Sequence, residues 1–250
     1  RKMILPITVL TEATHKMANE RFDGFIPISS KDEIGQLAKS FQLMASRLKE
    51  NDQARKDFIS HVSHDFQSPL QNIQGYAQLL ADGNCPQAER ERYAEIVELE
   101  GRRLSVLTKQ LLILTSLDHE SYRPTFKQVS INEQLDRTVR QNEWRFVELN
   151  LDVRMDIPEL VTRGDPDQLM QVWENVLSNA VKYNRPYGFI HIKGRELLNE
   201  IHITIEDSGI GMTKAQAEKA FDRFYRADLS RTREMEGTGL GLAIVREIVK

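Results

Sequence analysis

The sequence predicts a multidomain chain, an all-α parallel dimeric stalk followed by an α/β sandwich domain. Three observations predict it. Apolar residues recur at alternating spacings of three and four from near the first residue to about residue 118. The first two of these helices are short and joined by an extended connector, so neither buries its stripe without a partner. After Pro124 the texture changes to short β-branched runs alternating with amphipathic helices, the pattern of helices packed on one sheet.

Composition bounds what this chain does. It is 40% hydrophobic and 28% charged with a net charge of -3, and acidic and basic residues are mixed throughout. Nothing in that balance points to a nucleic-acid partner or an acidic substrate. Cys85 is the one cysteine, so no intrachain disulfide framework exists and a reducing compartment fits; it reads as an incidental thiol. No run of about 18 apolar residues is present, so no transmembrane helix is expected within the chain. There is no initiator Met, and Arg1-Lys2 precede the apolar Met3-Ile4-Leu5. Basic residues of this kind flank the cytoplasmic side of a membrane span. The expectation is a cytoplasmic portion cut from a longer membrane-bound protein, anchored through a missing N-terminal segment.

Residues 1–20 read as a helix with Met3, Ile7, Leu10, Thr14 and Met17 on a coiled-coil seam. Gly24 and Pro27 make residues 21–31 an extended connector. A second helix follows, with Ile34, Leu37, Phe41, Met44 and Leu48 as its seam and Asp32-Glu33 at its start, where negative charge suits the helix dipole. Residues 50–57 are polar but for Ala54 and put Asn51 and Arg55 on the continued seam. Either the helix runs through them with a weak seam, or they form a plain solvated linker helix. From 58 to 80 the apolar stripe is Phe58, Val62, Phe66, Leu70, Ile73, Ala77 and Leu80. A turn at 82–87 leads to a long helix over 88–118 with Val97, Leu104, Leu107, Leu111 and Leu114 as its seam. Two such helices make a hairpin whose dimer is a four-helix bundle. Strands are expected in 149–155, 188–193 and 201–206.

Five blocks carry chemistry. In the first, His64 and Asp65 lie off the apolar stripe, open to solvent. Imidazole is a nitrogen nucleophile near neutral pH, and a neighbouring carboxylate can hold one ring N–H so that the other nitrogen attacks. Pro69 leaves the carbonyl of Asp65 without its helical donor and is expected to kink the helix one turn past the nucleophile. His61 lacks that context and reads as a bystander. The second block places Asn175, Asn179 and Lys182 on one face of a helix whose other face is Leu169, Val172, Trp173, Val176 and Ala180. An amide oxygen is a hard ligand suited to Mg²⁺, Lys182 can neutralise a phosphate, and Tyr183 can cover a base. In the third, Asp207 at a strand end can accept from an exocyclic amine, and Gly209 and Gly211 permit a sharp turn close to a ring. The fourth is Phe221 to Arg226, aromatics that can pin a loop and an arginine that can reach phosphate. The fifth is Gly237-Thr238-Gly239-Leu240-Gly241, glycine-rich backbone opening a last helix, the form of a phosphate cradle.

Each block alone is ordinary; a His-Asp surface pair, a polar helix face or one GxG has a bland reading. In this order they resemble the sensor histidine kinases. Pro6 with Leu10, and Asp32-Glu33-Ile34-Gly35 with Leu37, are similar to a HAMP signal-relay domain. The His64 block resembles the H-box of the dimerisation and phosphotransfer domain. The other four resemble the N, G1, F and G2 boxes of the ATP-binding domain shared by histidine kinases, Hsp90-type chaperones, gyrase and MutL. The resemblance implies a HAMP domain over 1–49, a helical hairpin over 50–120 and an α/β sandwich ATP-binding domain over 121–250. It implies closing strands beyond Lys250, so that last domain is expected to be C-terminally incomplete.

The resemblance also implies roles. His64 is the phosphoacceptor, Asp65 its acidic helper, and Ser68 stands where a Thr or Asn of the family orients water in the reverse phosphatase reaction; Gln67 stands where a basic residue is usual. Asn179 binds Mg²⁺, Asp207 reads the adenine amine, and residues 212–236 form a lid over ATP. Substrate and partners follow as Mg-ATP, a second copy of the chain, and an aspartate on a response-regulator receiver domain. The superfamily's ATPases carry a glutamate base where Asn175 stands, and an amide cannot take that proton, which favours a protein nucleophile over hydrolysis. A silent scaffold is the other rival, but its expected signature is loss of Asn179, Asp207 or the glycines, all of which are present.

Overall fold

The computed structural model describes residues 4–18, 32–82, 85–117, 123–198, 200–226 and 237–250. They fall into two compact units, residues 1–66 and 67–250.

In the first unit, helix α1 (Ile4–Ala18) meets the start of helix α2 (Glu33–Ala81) through Leu10, Ala13 and Ala38, with Val9 and Phe41 packed against them. Of the expected seams, Leu10 is buried and Ile34 and Phe41 are half-buried. Ile7, Leu37, Met44 and Leu48 are exposed within the single chain, whereas Ala38 is only 2% exposed. A period counted on large side chains overlooks the alanines that let two helices approach. Met3 and the connector with Gly24 and Pro27 lie outside the described residues.

Helix α2 runs continuously through residues 50–57, as both the weak-seam and the linker-helix readings expect. Gln53 Nε2 donates to Asp57 Oδ1 at 2.9 Å, and Lys56 and Arg55 both reach Asp52. Pairs one turn apart contribute ~0.2–0.5 kcal/mol each, which sustains a helix that lacks an apolar face. Farther along α2 the inward stripe runs through half-buried Phe58, Val62 and Phe66, fully buried Pro69, and half-buried Ile73, Tyr76 and Leu80, not through Leu70 and Ala77, which are exposed. Pro69 and Tyr76 restore the three-and-four alternation by presenting rings inward. The helix is not interrupted at Pro69, so the expected kink does not break it.

In the second unit, helix α3 (Gln87–Leu117) buries Leu107 and Leu114 and half-buries Val97, Leu104 and Leu111, the expected seam. Tyr76 of α2 and Tyr93 of α3 meet with ring centres 5.2 Å apart. There follow β1 (Lys127–Ser130), α4 (Ile131–Gln141), α5 (Glu143–Leu149), β2 (Asp152–Asp156), β3 (Val161–Gly164), α6 (Pro166–Lys182), β4 (Phe189–Leu197), β5 (Glu200–Asp207), α7 (Lys214–Lys219) and α8 (Gly241–Val249). Strands β2, β4 and β5 form one sheet, with β2 parallel and β5 antiparallel to β4 and Ile192 opposite Ile205. Its inner face carries Ile190 and Ile192, both fully buried, against Leu135 of α4 and Trp173, Leu177 and Val181 of α6. Strands β1 and β3 pair antiparallel and were not expected, since KQVS and VTRG show no apolar alternation. The buried indole of Trp173 donates to Gln134 Oε1 at 2.9 Å, and Gln134 in turn donates to the Pro166 carbonyl. No helix among the described residues is long and apolar enough to cross a membrane.

Candidate active site

Helix α6 is the spine of the site, and its start is fixed by Asp165. That side chain accepts from the backbone of Asp167 and Gln168 at 3.0 and 3.2 Å, while its other oxygen accepts from Thr125 N at 2.8 Å. Pro166 fills the first helical position, where a missing N–H costs nothing. The helix direction is therefore set at one end by a cap and along its length by Trp173 and Leu177 in the core. Asn175, Asn179 and Lys182 then fall along the side facing a cavity of about 570 Å³. That volume is ordinary for a small-molecule site.

The cavity gathers residues of all four blocks beyond residue 165. Asn175, Asn179, Lys182, Tyr183, Asp207, Gly211, Arg226, Gly237, Thr238, Gly239 and Gly241 line it; Gly209 and Leu240 do not. Leu240 is fully buried beneath the loop. Gly209 turns the chain so that its N–H donates to Asp207 Oδ1 at 2.9 Å, and a Cβ there would collide with the Tyr183 carbonyl. Asp207 itself is exposed to the cavity side.

Asn175 is buried, and its Nδ2 donates to the Gln171 carbonyl at 2.8 Å. Its Oδ1 would stand 2.8 Å from a Cβ placed on Gly241, so that glycine lets the last helix close against α6. The Lys182 ammonium lies 3.2 Å from the Tyr183 hydroxyl and over the same ring, beside Gly237. Positive φ values of 69° at Gly239 and 63° at Phe224 mark where the glycine-rich loop meets the aromatic block. There Phe224 N–H donates to the Gly239 carbonyl at 3.0 Å, and its ring is buried. Phe221 is 40% exposed and does not share that role. Arg246 of α8 pairs with Asp222 at 3.2 Å, a second tie across the same junction. Of the expected lid, Thr213 and Gln216 cap the short α7 reciprocally, and residues 227–236 lie outside the described residues.

Sequence reasoning missed the clip behind Asp207. Asn184 is buried; its Oδ1 accepts from the Ser208 hydroxyl at 3.0 Å, and its Nδ2 donates to the Phe189 carbonyl at 3.1 Å. Phe189 N–H donates to Ser208 Oγ at 2.8 Å. This ring of bonds joins the end of α6 to β4 and to the residue after Asp207. Sequence reasoning also missed the side wall of α3: Arg102, Arg103, Val106 and Gln110 line the same cavity. Gln110 is tied to the glycine-rich loop through the Thr238 hydroxyl at 2.5 Å.

In the first unit, the His64 side chain is 82% exposed and its Nδ1 lies 3.4 Å from Asp65 Oδ1. With Nδ1 as the protonated nitrogen, the lone pair on Nε2 faces solvent. His61 of the same unit and Ser68 of the second unit are exposed as well.

Comparison with known proteins agrees along the length of the chain. The family models for the HAMP domain, the His Kinase A (phospho-acceptor) domain and the histidine kinase-, DNA gyrase B- and HSP90-like ATPase match residues 1–50, 54–120 and 164–250. The chain is 32% identical over 254 residues to the signal transduction histidine-protein kinase BaeS of Escherichia coli (strain K12), covering 100% of this chain and 53% of that protein. It is 35% identical over 199 residues to the sensor protein kinase WalK of Staphylococcus saprophyticus, covering 78% of this chain and 33% of that protein. The chain thus spans between a third and about half the length of these curated relatives. Among solved structures it is similar to the Acinetobacter baumannii histidine kinase AdeS, with a TM-score of 0.59 at 22% identity, covering 74% and 85% of the two chains. It is also similar to histidine kinase ThkA in complex with response regulator protein TrrA, with a TM-score of 0.61 at 20% identity, covering 78% and 57%. At those identities the likeness is one of fold. Because the three family models follow one another in this order and the similarity to BaeS runs the whole length, the chain belongs to the sensor histidine kinases of two-component systems.

Proposed function

We propose that this chain binds Mg-ATP in the cavity beside α6, transfers the γ-phosphoryl group to His64, and passes it to an aspartate of a response-regulator receiver domain. The observation that carries this reading is the convergence of Asn179, Lys182, Asp207, Arg226 and the glycine-rich loop on one cavity. Asp207 reads the adenine amine. Lys182, Arg226 and the backbone of Gly237 to Gly241 neutralise and cradle the phosphates. Among the described residues no three His, Cys, Asp or Glu side chains gather as a metal cluster. Mg²⁺ keeps several waters and bridges phosphates, so the lone amide oxygen of Asn179 suits it beside a polyphosphate. The metal supplies charge neutralisation at the phosphates.

In the transfer, His64 Nε2 bonds to the γ-phosphorus as the bond from that phosphorus to the β–γ bridging oxygen breaks, releasing ADP. Asp65, near Nδ1, orients the ring and stabilises the positive charge that the imidazole gains. Asn175 leaves no general base for water one turn before Asn179, which disfavours simple hydrolysis. A weak phosphatase activity toward the regulator is assigned to Ser68.

The reading divides the chain at 1–49, 50–120 and 121–250. It makes the chain a parallel homodimer, with Leu37, Met44, Leu48 and Leu112 exposed in one copy and covered by the second. It also places the chain on the cytoplasmic side of a membrane-bound sensor, supported by the HAMP match and the similarity to BaeS. The test is incubation with γ-labelled ATP and Mg²⁺ followed by acid and alkali treatment. Label lost in acid and kept in alkali is the expected phosphohistidine; acid-stable label, or none, contradicts it.

A further inference from the structure

We propose that Arg103 of helix α3 is a nucleotide-positioning residue, held at the cavity by Glu100 and contacting the polyphosphate. The inference rests on the ATP reading of that cavity and extends it to a helix of the stalk.

Three observations carry it. First, Arg103 lines the same cavity as Asn179 and Asp207, and its side chain is 29% exposed, so it is ordered against the wall rather than free in solvent. Second, α3 is fastened there, since the Thr238 hydroxyl of the glycine-rich loop bonds Gln110 two turns farther along the same helix. Third, a carboxylate is buried behind Arg103 at a place where the seam asks for an apolar residue. Glu100 falls between Val97 and Leu104 on that seam and is 9% exposed. Its Oε1 accepts from Asn72 Nδ2 of α2 at 2.7 Å. Its Oε2 has no hydrogen bond, and Arg103 Nη1 stands 3.7 Å away, within ion-pair reach but not bonded. A buried carboxylate with one oxygen unsatisfied is costly to the bundle, so its presence there calls for a use. Its effect is to fix the direction of Arg103 while leaving the guanidinium donors uncommitted enough to bond a second oxyanion.

The chemistry of the ligand follows. Arg103 adds to Lys182 and Arg226 around a cavity whose lining acid is Asp207, an excess of positive charge that suits a polyanion. A guanidinium presents paired donors to phosphate oxygens, which an ammonium does not. Arg102, beside it, is 76% exposed and paired with Glu98, so it is the less committed of the two. A nucleotide gripped from both α6 and α3 is linked reciprocally to the seating of α3 on the glycine-rich loop.

The experiment is calorimetric titration of the full chain with Mg-ATP and, separately, with adenosine, which lacks phosphates. Arg103→Gln is expected to weaken Mg-ATP binding by about tenfold, the loss of one charge-assisted contact, while adenosine affinity is unchanged. Arg103→Lys is expected to fall between wild type and Arg103→Gln, and serves if the glutamine variant folds poorly. Mg-ATP affinity in Arg103→Gln equal to that of the wild type overturns the proposal. Equal weakening of Mg-ATP and adenosine also overturns it, because the residue then supports only the fold. A wild-type chain that binds neither ligand sinks the nucleotide reading beneath it.

Discussion

The roles proposed for Asp207 and Ser68 each rest on one side chain. Asp207 is exposed, and its Oδ1 is already engaged by Gly209 N–H, so in the proposed reading Oδ2 is the oxygen that meets the exocyclic amine. Asp207→Asn exchanges that acceptor for either a donor or a weaker acceptor. We predict at least a tenfold loss of Mg-ATP affinity with an unchanged thermal transition, since the residue is not in the core; titration and calorimetric melting of the same sample check both parts. Ser68 is exposed on α2, four positions after His64 in sequence. A serine hydroxyl can orient water as threonine does, but it lacks the methyl that restricts threonine to fewer rotamers. It can also turn back to the carbonyl one helical turn before it. Ser68→Thr should therefore raise the rate of regulator dephosphorylation and Ser68→Ala lower it, each by a few-fold, with autophosphorylation little changed. The check is loss of label from purified phospho-regulator in the presence of ADP; an unchanged rate in Ser68→Ala would return this residue to a small side chain before a proline.

Helix α6 depends on its first residue. Asp165→Ala removes a cap bonded to two backbone N–H groups and also frees Thr125 N–H, so we predict a loss of about 1–2 kcal/mol on chemical denaturation and a weaker nucleotide site. Helices and strands such as these were largely legible in the sequence, because apolar period is a local property. The stalk helices, β4 and β5 follow from it directly. What escaped it has physical causes. Ala13 and Ala38 carry a helix contact through smallness, which no hydrophobic count weights. Pro69 and Tyr76 moved the stripe of α2 by one position because their rings pack inward while Leu70 stays exposed. Strands β1 and β3 are short and polar and exist only by pairing with each other. The candidate site was legible where it is local: Asn175, Asn179 and Lys182 are spaced on one helix face, and the glycines cluster in one loop. It was not legible where it is long-range. Nothing near Arg103 or Gln110 in sequence says that α3 meets the loop at Thr238, and Asn184 and Ser208 gain meaning only once β4 and β5 bring them together.

At the size of the full chain, the proposed homodimer rests on apolar side chains left uncovered in one copy. Leu37, Met44 and Leu48 lie exposed along one stretch of α2, and Leu112 is 64% exposed on α3. We predict a dimeric mass by sedimentation equilibrium, and at least a tenfold weaker dimer for Leu37→Lys with Met44→Lys, two charges placed where burial would be needed; a monomeric wild type would contradict it. The polar stretch with Asn51 and Arg55 sits within the same helix and is held by ion pairs rather than packing. Asn51→Leu with Arg55→Leu should stiffen it and fix kinase output high or low in the full-length protein, where output that still follows the stimulus would favour a passive linker. The kinase and phosphatase expectations depend on which atom receives the phosphoryl group. The direct measurement is labelling by γ-labelled ATP and Mg²⁺ of the wild type, His64→Gln and His61→Gln side by side. We predict acid-labile label on the wild type, most of it kept in His61→Gln, and none in His64→Gln; label retained in His64→Gln would contradict the assignment.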